Sequence, residues 1–134
     1  MRSRVRSRAA LSIAVAATWL AATAALADEG SAENGADVFK KCRACHEIGP
    51  NAKNKVGPQL NGIIGRKASS VEGFAYSDAS HAAAAGGLVW TEETLFKYLY
   101  DPRAFMPRTK MAFAGLRDEQ DRKDLIAYLK QAGK

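Results

Sequence analysis

Cys42-Arg43-Ala44-Cys45-His46 decides the reading of this chain. It holds the only two cysteines of the 134 residues, and a histidine follows the second directly. C-x-x-C-H is the pattern of covalent c-type haem attachment. Two thiols three positions apart on one helical turn can each add to a haem vinyl group. The next residue then points its imidazole at the iron as the proximal ligand. A thioredoxin-like redox pair needs a βαβ context, and none is visible. A structural zinc site needs four ligands, and the only spare histidine is His81. The motif therefore predicts one covalently bound haem c.

Upstream, residues 1–8 carry Arg2, Arg4, Arg6 and Arg8 and no acid. Residues 9–26 are apolar and alanine-rich, and Ala25-Leu26-Ala27 offers small residues at both positions of an A-x-A cleavage site. This is the pattern of a secretory signal peptide, with cleavage expected after Ala27 and export to the periplasm. The apolar run of about 18 residues is close to the ~20 that span a bilayer, so an uncleaved anchor is the competing reading. Export suits the cysteines, because the thioether chemistry needs them on the far side of the membrane.

Cleavage changes the charge reading. The whole chain is +6, but losing the four leader arginines leaves 16 Lys and Arg against 14 Asp and Glu, a formal +2. Nucleic-acid binding then has no compositional support. Residues 28–134 fit a single small domain, without repeats or low-complexity tracts. A core that small is modest, and a buried haem would supply much of the missing apolar surface.

The residue pattern is helical. Residues 31–42 read as a helix leading into the haem motif, with Val38 and Phe39 on its apolar side. Residues 50–65 are rich in Gly, Asn and Pro and read as loop. Thr91-Glu92-Glu93 is an N-cap followed by acids in a first turn, opening a helix that carries Leu95, Phe96, Tyr98 and Leu99. It should stop at Asp101, because Pro102 disfavours helical geometry in the residue before it. A last helix is expected over residues 118–130, with Leu125, Ile126 and Leu129 as its buried stripe. No alternating strand pattern stands out. The fold class is all-α, about four to five helices packed around one covalent haem.

An iron bound by His46 needs its sixth position settled. Met106, Met111, His81 and the lysines are candidates. A thioether is a soft, neutral ligand that raises the reduction potential and closes the iron to substrates. Met106, between Phe105 and Pro107, fits ordinary core filler equally well. Met111 lies in an irregular stretch, as a ligand on a loop often does.

The sequence resembles the class I cytochromes c, near to mitochondrial cytochrome c and its periplasmic bacterial relatives of the cytochrome c-two type. The resemblance runs from about Ala32 to Lys130. After the C-x-x-C-H motif come Gly57-Pro58-Gln59-Leu60-Asn61-Gly62, then Gly65-Arg66-Lys67 and Gly73-Phe74-Ala75-Tyr76-Ser77-Asp78-Ala79. Trp90-Thr91-Glu92-Glu93-Thr94-Leu95, Tyr98-Leu99 and Asp101-Pro102 follow. Pro107-Arg108-Thr109-Lys110-Met111-Ala112-Phe113-Ala114-Gly115 and Asp124-Leu125-Ile126-Ala127-Tyr128-Leu129-Lys130 complete the order.

The resemblance implies roles for single residues. Met111 matches the axial methionine, and Met106 does not. Pro58 matches the residue whose carbonyl accepts the His46 Nδ1–H, which fixes the ring and tunes its basicity. Tyr76 and Trp90 match groups that hydrogen-bond a haem propionate, and Arg66 a nearby positive charge. Tyr98 and Thr109 match the methionine side, and Phe113 an aromatic over the haem edge. Four departures stand out. Ser80 replaces an asparagine. The stretch from Ser80 to Trp90 is three residues longer than the mitochondrial pattern and reads as a surface loop or short extra helix, with His81 exposed or locally bonded. Arg108 replaces a glycine, so the backbone before Met111 is expected to differ. Asp118 stands where lysine is frequent.

What the resemblance implies is a monomeric, soluble one-electron carrier. It would take electrons from ubiquinol–cytochrome c oxidoreductase and pass them to a terminal oxidase or a photosynthetic reaction centre. Lys41, Lys53, Lys55, Arg103, Lys110 and Arg117 would ring the exposed haem edge, with Asp118, Glu119, Asp121 and Asp124 clustered on the last helix instead. The competing classes are a small c-type haem peroxidase, which needs an open sixth site and a distal acid–base group, and a membrane-tethered cytochrome c that keeps residues 1–27.

Overall fold

The computed structural model describes residues 29–134, so the leader and its cleavage site lie outside the described residues. Five helices and one small two-stranded sheet follow in the order α1, β1, α2, β2, α3, α4, α5. Helix α1 covers Ala32–Phe39, capped by the Ser31 side chain, which accepts from the Asn34 N–H. It ends before the expected Cys42 because the ladder tightens. Lys40, Lys41 and Cys42 each donate to the carbonyl three residues back, the spacing of a 3₁₀ turn.

Two pairs of residues form strands that the sequence reading did not anticipate. β1 (Arg66–Lys67) pairs antiparallel with β2 (Val89–Trp90), matching Arg66 to Trp90 and Lys67 to Val89. Two residues are too few to write an alternating pattern into a sequence. Between them the longer stretch contains a helix, α2 (Asp78–Ala85), capped by Ser77, with no buried residue.

Helix α3 spans Glu92–Tyr100, with the predicted Thr91 cap completed by Thr94 as a reciprocal capping box. It stops at Asp101 as expected, and Pro102 starts a single further turn, α4 (Pro102–Phe105). Helix α5 is Glu119–Ala132, with Asp118 as its cap rather than its first residue.

The core lies where α1 crosses α5. Val38 and Phe39 pack with Leu125, Ile126 and Leu129, and Leu95 and Leu99 of α3 close one side. Gly35 makes the crossing close: a Cβ there would run into the Asp124 carbonyl oxygen. No helix among the described residues is long and apolar enough to cross a membrane.

Candidate cofactor site

The chain leaves α1 through turns, and that places the motif. His46 N–H donates to the Cys42 carbonyl at 2.9 Å and Cys45 N–H to the same oxygen at 3.1 Å, so the five residues wrap one turn. Both cysteines are free and partly exposed. Burial pushes the Cys42 thiol up to about 11, only partly offset by the Lys41 charge. A thiol so far from ionisation is a poor thiol–disulfide exchange group.

The imidazole is fixed from behind. His46 Nδ1 lies 2.7 Å from the Pro58 carbonyl oxygen, which accepts the Nδ1–H and leaves the Nε2 lone pair available. Gly57 packs against the same ring, where a Cβ would collide with it. Burial holds the His46 pKa below its ordinary value; the Pro58 contact opposes this, and the charges of Arg66 and Lys55 add to it. A neutral imidazole is the form that binds metal.

The loop carrying Pro58 is tied at several points. Asn61 exchanges two hydrogen bonds with the Gly49 backbone, at 2.8 and 2.9 Å. Arg66 sends its guanidinium to the carbonyls of Gln59 at 3.1 Å and Asn61 at 2.8 Å. It therefore acts as a clamp on the loop as well as a charge near it. Tyr76 Oη accepts from the Val71 N–H at 3.1 Å and keeps its own proton for another acceptor. Its ring meets Phe74 edge-on at 4.8 Å and His81 at 6.0 Å, while His81 itself is exposed. Ser80 bonds Ser69 across 2.7 Å.

Met111 is built into a different environment. Tyr98 Oη donates toward Met111 Sδ at 3.4 Å and lies the same distance from Thr109 Oγ1. Thr109 Oγ1 also accepts from the Met111 N–H at 3.3 Å. Tyr98 stands in an aromatic group with Trp90 at 4.8 Å and Phe105 at 5.6 Å. Burial raises the Tyr98 pKa, so its proton stays available to the sulfur. Met106 is 5% exposed and belongs to the core, whereas Met111 is half-buried. Phe113 packs against the core cluster.

Some expectations are corrected. Arg108 sits at φ 66°, a conformation glycine would adopt freely. Asp124 is not a surface acid but 4% exposed, accepting from the Ser31 N–H at 2.7 Å. Asp121 lies beside the motif rather than away from it, 3.4 Å from Lys41 Nζ. Sequence reading also missed Arg122. Its buried guanidinium donates to the carbonyls of Leu116, Arg117 and Asp118 at 2.6, 3.0 and 3.2 Å and stacks on Phe96. No residue type marks it, because its acceptors are backbone carbonyls four to six positions upstream and Phe96 meets it only in the folded chain.

The donor set fits a haem: two reduced cysteines on one turn, an imidazole with its second nitrogen committed, and a thioether under a tyrosine hydroxyl. Comparison with known proteins agrees. Residues 32–133 match the family described as Cytochrome c. The chain is 55% identical to cytochrome c2 of Blastochloris viridis over 112 residues, 84% of this chain and 86% of that protein. It is 59% identical to cytochrome c-550 of Ancylobacter novellus over 96 residues, 72% of this chain and 90% of that one. The solved structure of cytochrome c2 from Rhodospirillum centenum superimposes with a TM-score of 0.74 at 48% identity, over 78% of this chain and all of that chain.

Proposed function

Because the chain belongs to the cytochrome c family, and so is an electron carrier with covalently bound haem c rather than an enzyme, we propose that Cys42 and Cys45 would hold the haem through thioether bonds and that His46 and Met111 would ligate its iron. The observation that supports this most is the His46 Nδ1 contact to Pro58 at 2.7 Å, which selects the tautomer with a free Nε2. The haem supplies a one-electron iron couple. The chain's residues do the rest. Pro58 and Gly57 hold the imidazole orientation. Tyr98 and Thr109 orient the thioether. Tyr76, Trp90 and Arg66 receive the propionates. With His46 and Met111 both supplied by the protein, the iron would have no position left for a substrate and the group would supply one-electron transfer alone.

The protein works in the periplasm as a soluble monomer after removal of residues 1–27. It takes electrons from ubiquinol–cytochrome c oxidoreductase and delivers them to a terminal oxidase or a photosynthetic reaction centre. It docks through Lys41, Lys53, Lys55, Arg103, Lys110 and Arg117. These six are not equivalent. Lys41 faces Asp121 at 3.4 Å, Arg117 bonds Asp101 at 3.1 Å, and Lys55 Nζ donates to the Arg43 carbonyl at 2.9 Å. The side-chain charges of Lys53, Arg103 and Lys110 are exposed and form no ion pair among the described residues, although the Lys53 N–H donates to a Glu47 carboxylate oxygen at 2.8 Å, so Arg103 and Lys110 carry the most usable charge.

Extraction with acidified organic solvent tests the attachment. The haem stays on the wild-type protein and is released from a Cys42→Ser, Cys45→Ser double variant. Free haem from the wild type would overturn the assignment.

A further inference from the structure

Met106-Pro107-Arg108-Thr109 is a four-residue turn just before the methionine block. The Thr109 N–H donates to the Met106 carbonyl at 3.0 Å, and Arg108, in the third position, has φ 66°. Proline second and a positive φ third is the type II pattern, whose third position favours glycine because a Cβ there crowds the backbone. Arg108 accepts that strain without any return inside the fold. Its side chain is exposed and makes no hydrogen bond, ion pair or ring contact among the described residues.

The other two non-glycine residues at positive φ differ. Asn51 is a type that tolerates the conformation. Ser69 uses its position to bond Ser80 at 2.7 Å. Arg108 alone of the three is strained, of an unsuited type and unpartnered. Its surroundings are of one sign. No acid occurs between Asp101 and Asp118, while Arg103 and Lys110 flank it, both exposed.

Resting on the carrier reading above, we propose that Arg108 is a partner-contact residue that sets specificity for electron-transfer proteins with an acidic docking surface on the Met111 side. A guanidinium carries a fixed positive charge that an acidic surface attracts, and its planar fork suits a carboxylate. The turn, stiffened by Pro107, presents that fork at its tip. The charge is therefore aimed at a partner rather than spread over a mobile loop.

The test uses the haem-loaded protein, reduced, in stopped flow against hexacyanoferrate(III), an anionic oxidant that takes one electron per molecule without bond formation. Arg108→Gly and Arg108→Asn slow the second-order rate about threefold at an ionic strength of about 0.01 M, and the difference vanishes near 1 M. Arg108→Lys reacts like the wild type. With the cationic oxidant tris(phenanthroline)cobalt(III), the neutral variants react as fast as the wild type or faster. Arg108→Gly and Arg108→Asn melt no lower than the wild type, because both residues accept the turn. Lys110→Gln is the control. If it slows the anionic reaction and Arg108→Gly does not, the inference is overturned and the carrier reading stands. A lower melting temperature of Arg108→Gly with an unchanged rate also overturns it, making Arg108 structural. If neither variant responds and the wild-type rate is flat with salt, the electrostatic docking reading falls together with the inference.

Discussion

The two sides of the proposed site are held in opposite ways. The His46 side is a net of short contacts: Pro58 on the imidazole at 2.7 Å, Asn61 to Gly49 at 2.8 and 2.9 Å, Arg66 on two carbonyls. The Met111 side rests on three longer ones, 3.3 to 3.4 Å, that join Tyr98 of α3 to Thr109 and Met111, the latter two in a segment without regular structure. Both sides are anchored to α5, again differently. The buried Asp124 carboxylate accepts from the start of α1, which leads into the motif. The buried Arg122 donates to carbonyls at the end of the methionine segment. One anchor is a carboxylate that acid can neutralise, and the other is a guanidinium that donates to three carbonyls. In the proposed site the imidazole side is thus the more tightly hydrogen-bonded and the thioether side the less.

The largest effect should come from the two methionines, which sit within one segment and do different work. Met111→Ala removes the sulfur-to-iron absorption completely and lets exogenous ligands bind. Met106→Ala leaves that absorption in place but costs about 2–5 kcal/mol of stability, because a side chain 5% exposed is deleted from a packed core. Absorption spectra and denaturant unfolding of both variants check this. The reverse pattern would break the distinction between ligand and filler.

How much of this was legible in the sequence follows the same divide. The His46 side announces itself locally: five consecutive residues, with Pro58 twelve positions on. The α3 boundaries were legible too, from Thr91 and Pro102, because caps and proline act within a few residues. Met111 stayed ambiguous until the family resemblance, since a methionine on a loop carries no local mark. Asp124 read only as one of a cluster of acids on the last helix, because its partner Ser31 lies 93 positions away. Arg122 was missed for a different reason: its acceptors are backbone carbonyls four to six positions upstream, which no residue type marks, and Gly35 shows its purpose only where α5 crosses it. The β1–β2 pair was too short for any periodic signal. The positive φ of Arg108 is a property of a turn whose residue type argues against it.

A middle-sized effect should separate the two α5 anchors by pH. Burial pushes the Asp124 carboxyl up, but hydrogen bonds from Ser31, Gln120 and Asn34 outweigh it, and its pKa lies below the ordinary value. The folded state therefore binds the proton less readily than the unfolded chain. The stabilisation is fully present above the unfolded value of ~3.9 and is lost as pH falls through the lower folded one. Asp124→Asn should cost roughly 2 kcal/mol at neutral pH and flatten this acid limb. Arg122→Met should destabilise at every pH and leave the shape of the limb unchanged. Unfolding free energies measured from about pH 6 to pH 2 decide it. An acid limb that survives Asp124→Asn would remove the carboxylate from this role.

The smallest effect should distinguish the two sides electrostatically. Lys41, beside the motif, already has Asp121 at 3.4 Å, whereas Lys110, beside Met111, has no acid near it among the described residues. A partner with an acidic face meets less free charge at Lys41 than at Lys110. Exposed pairs are weak and screened, so the difference belongs in the association rate rather than in stability. Lys110→Glu should slow the reaction with a purified acceptor more than Lys41→Glu does, by about twofold at low ionic strength. Both effects should fade as the screening length shrinks below ~10 Å above 0.1 M salt. Equal slowing would mean that the Asp121 contact does not hold Lys41 in solution, and the docking face is then centred on the haem edge. Unequal slowing in the expected direction places its centre on the methionine side.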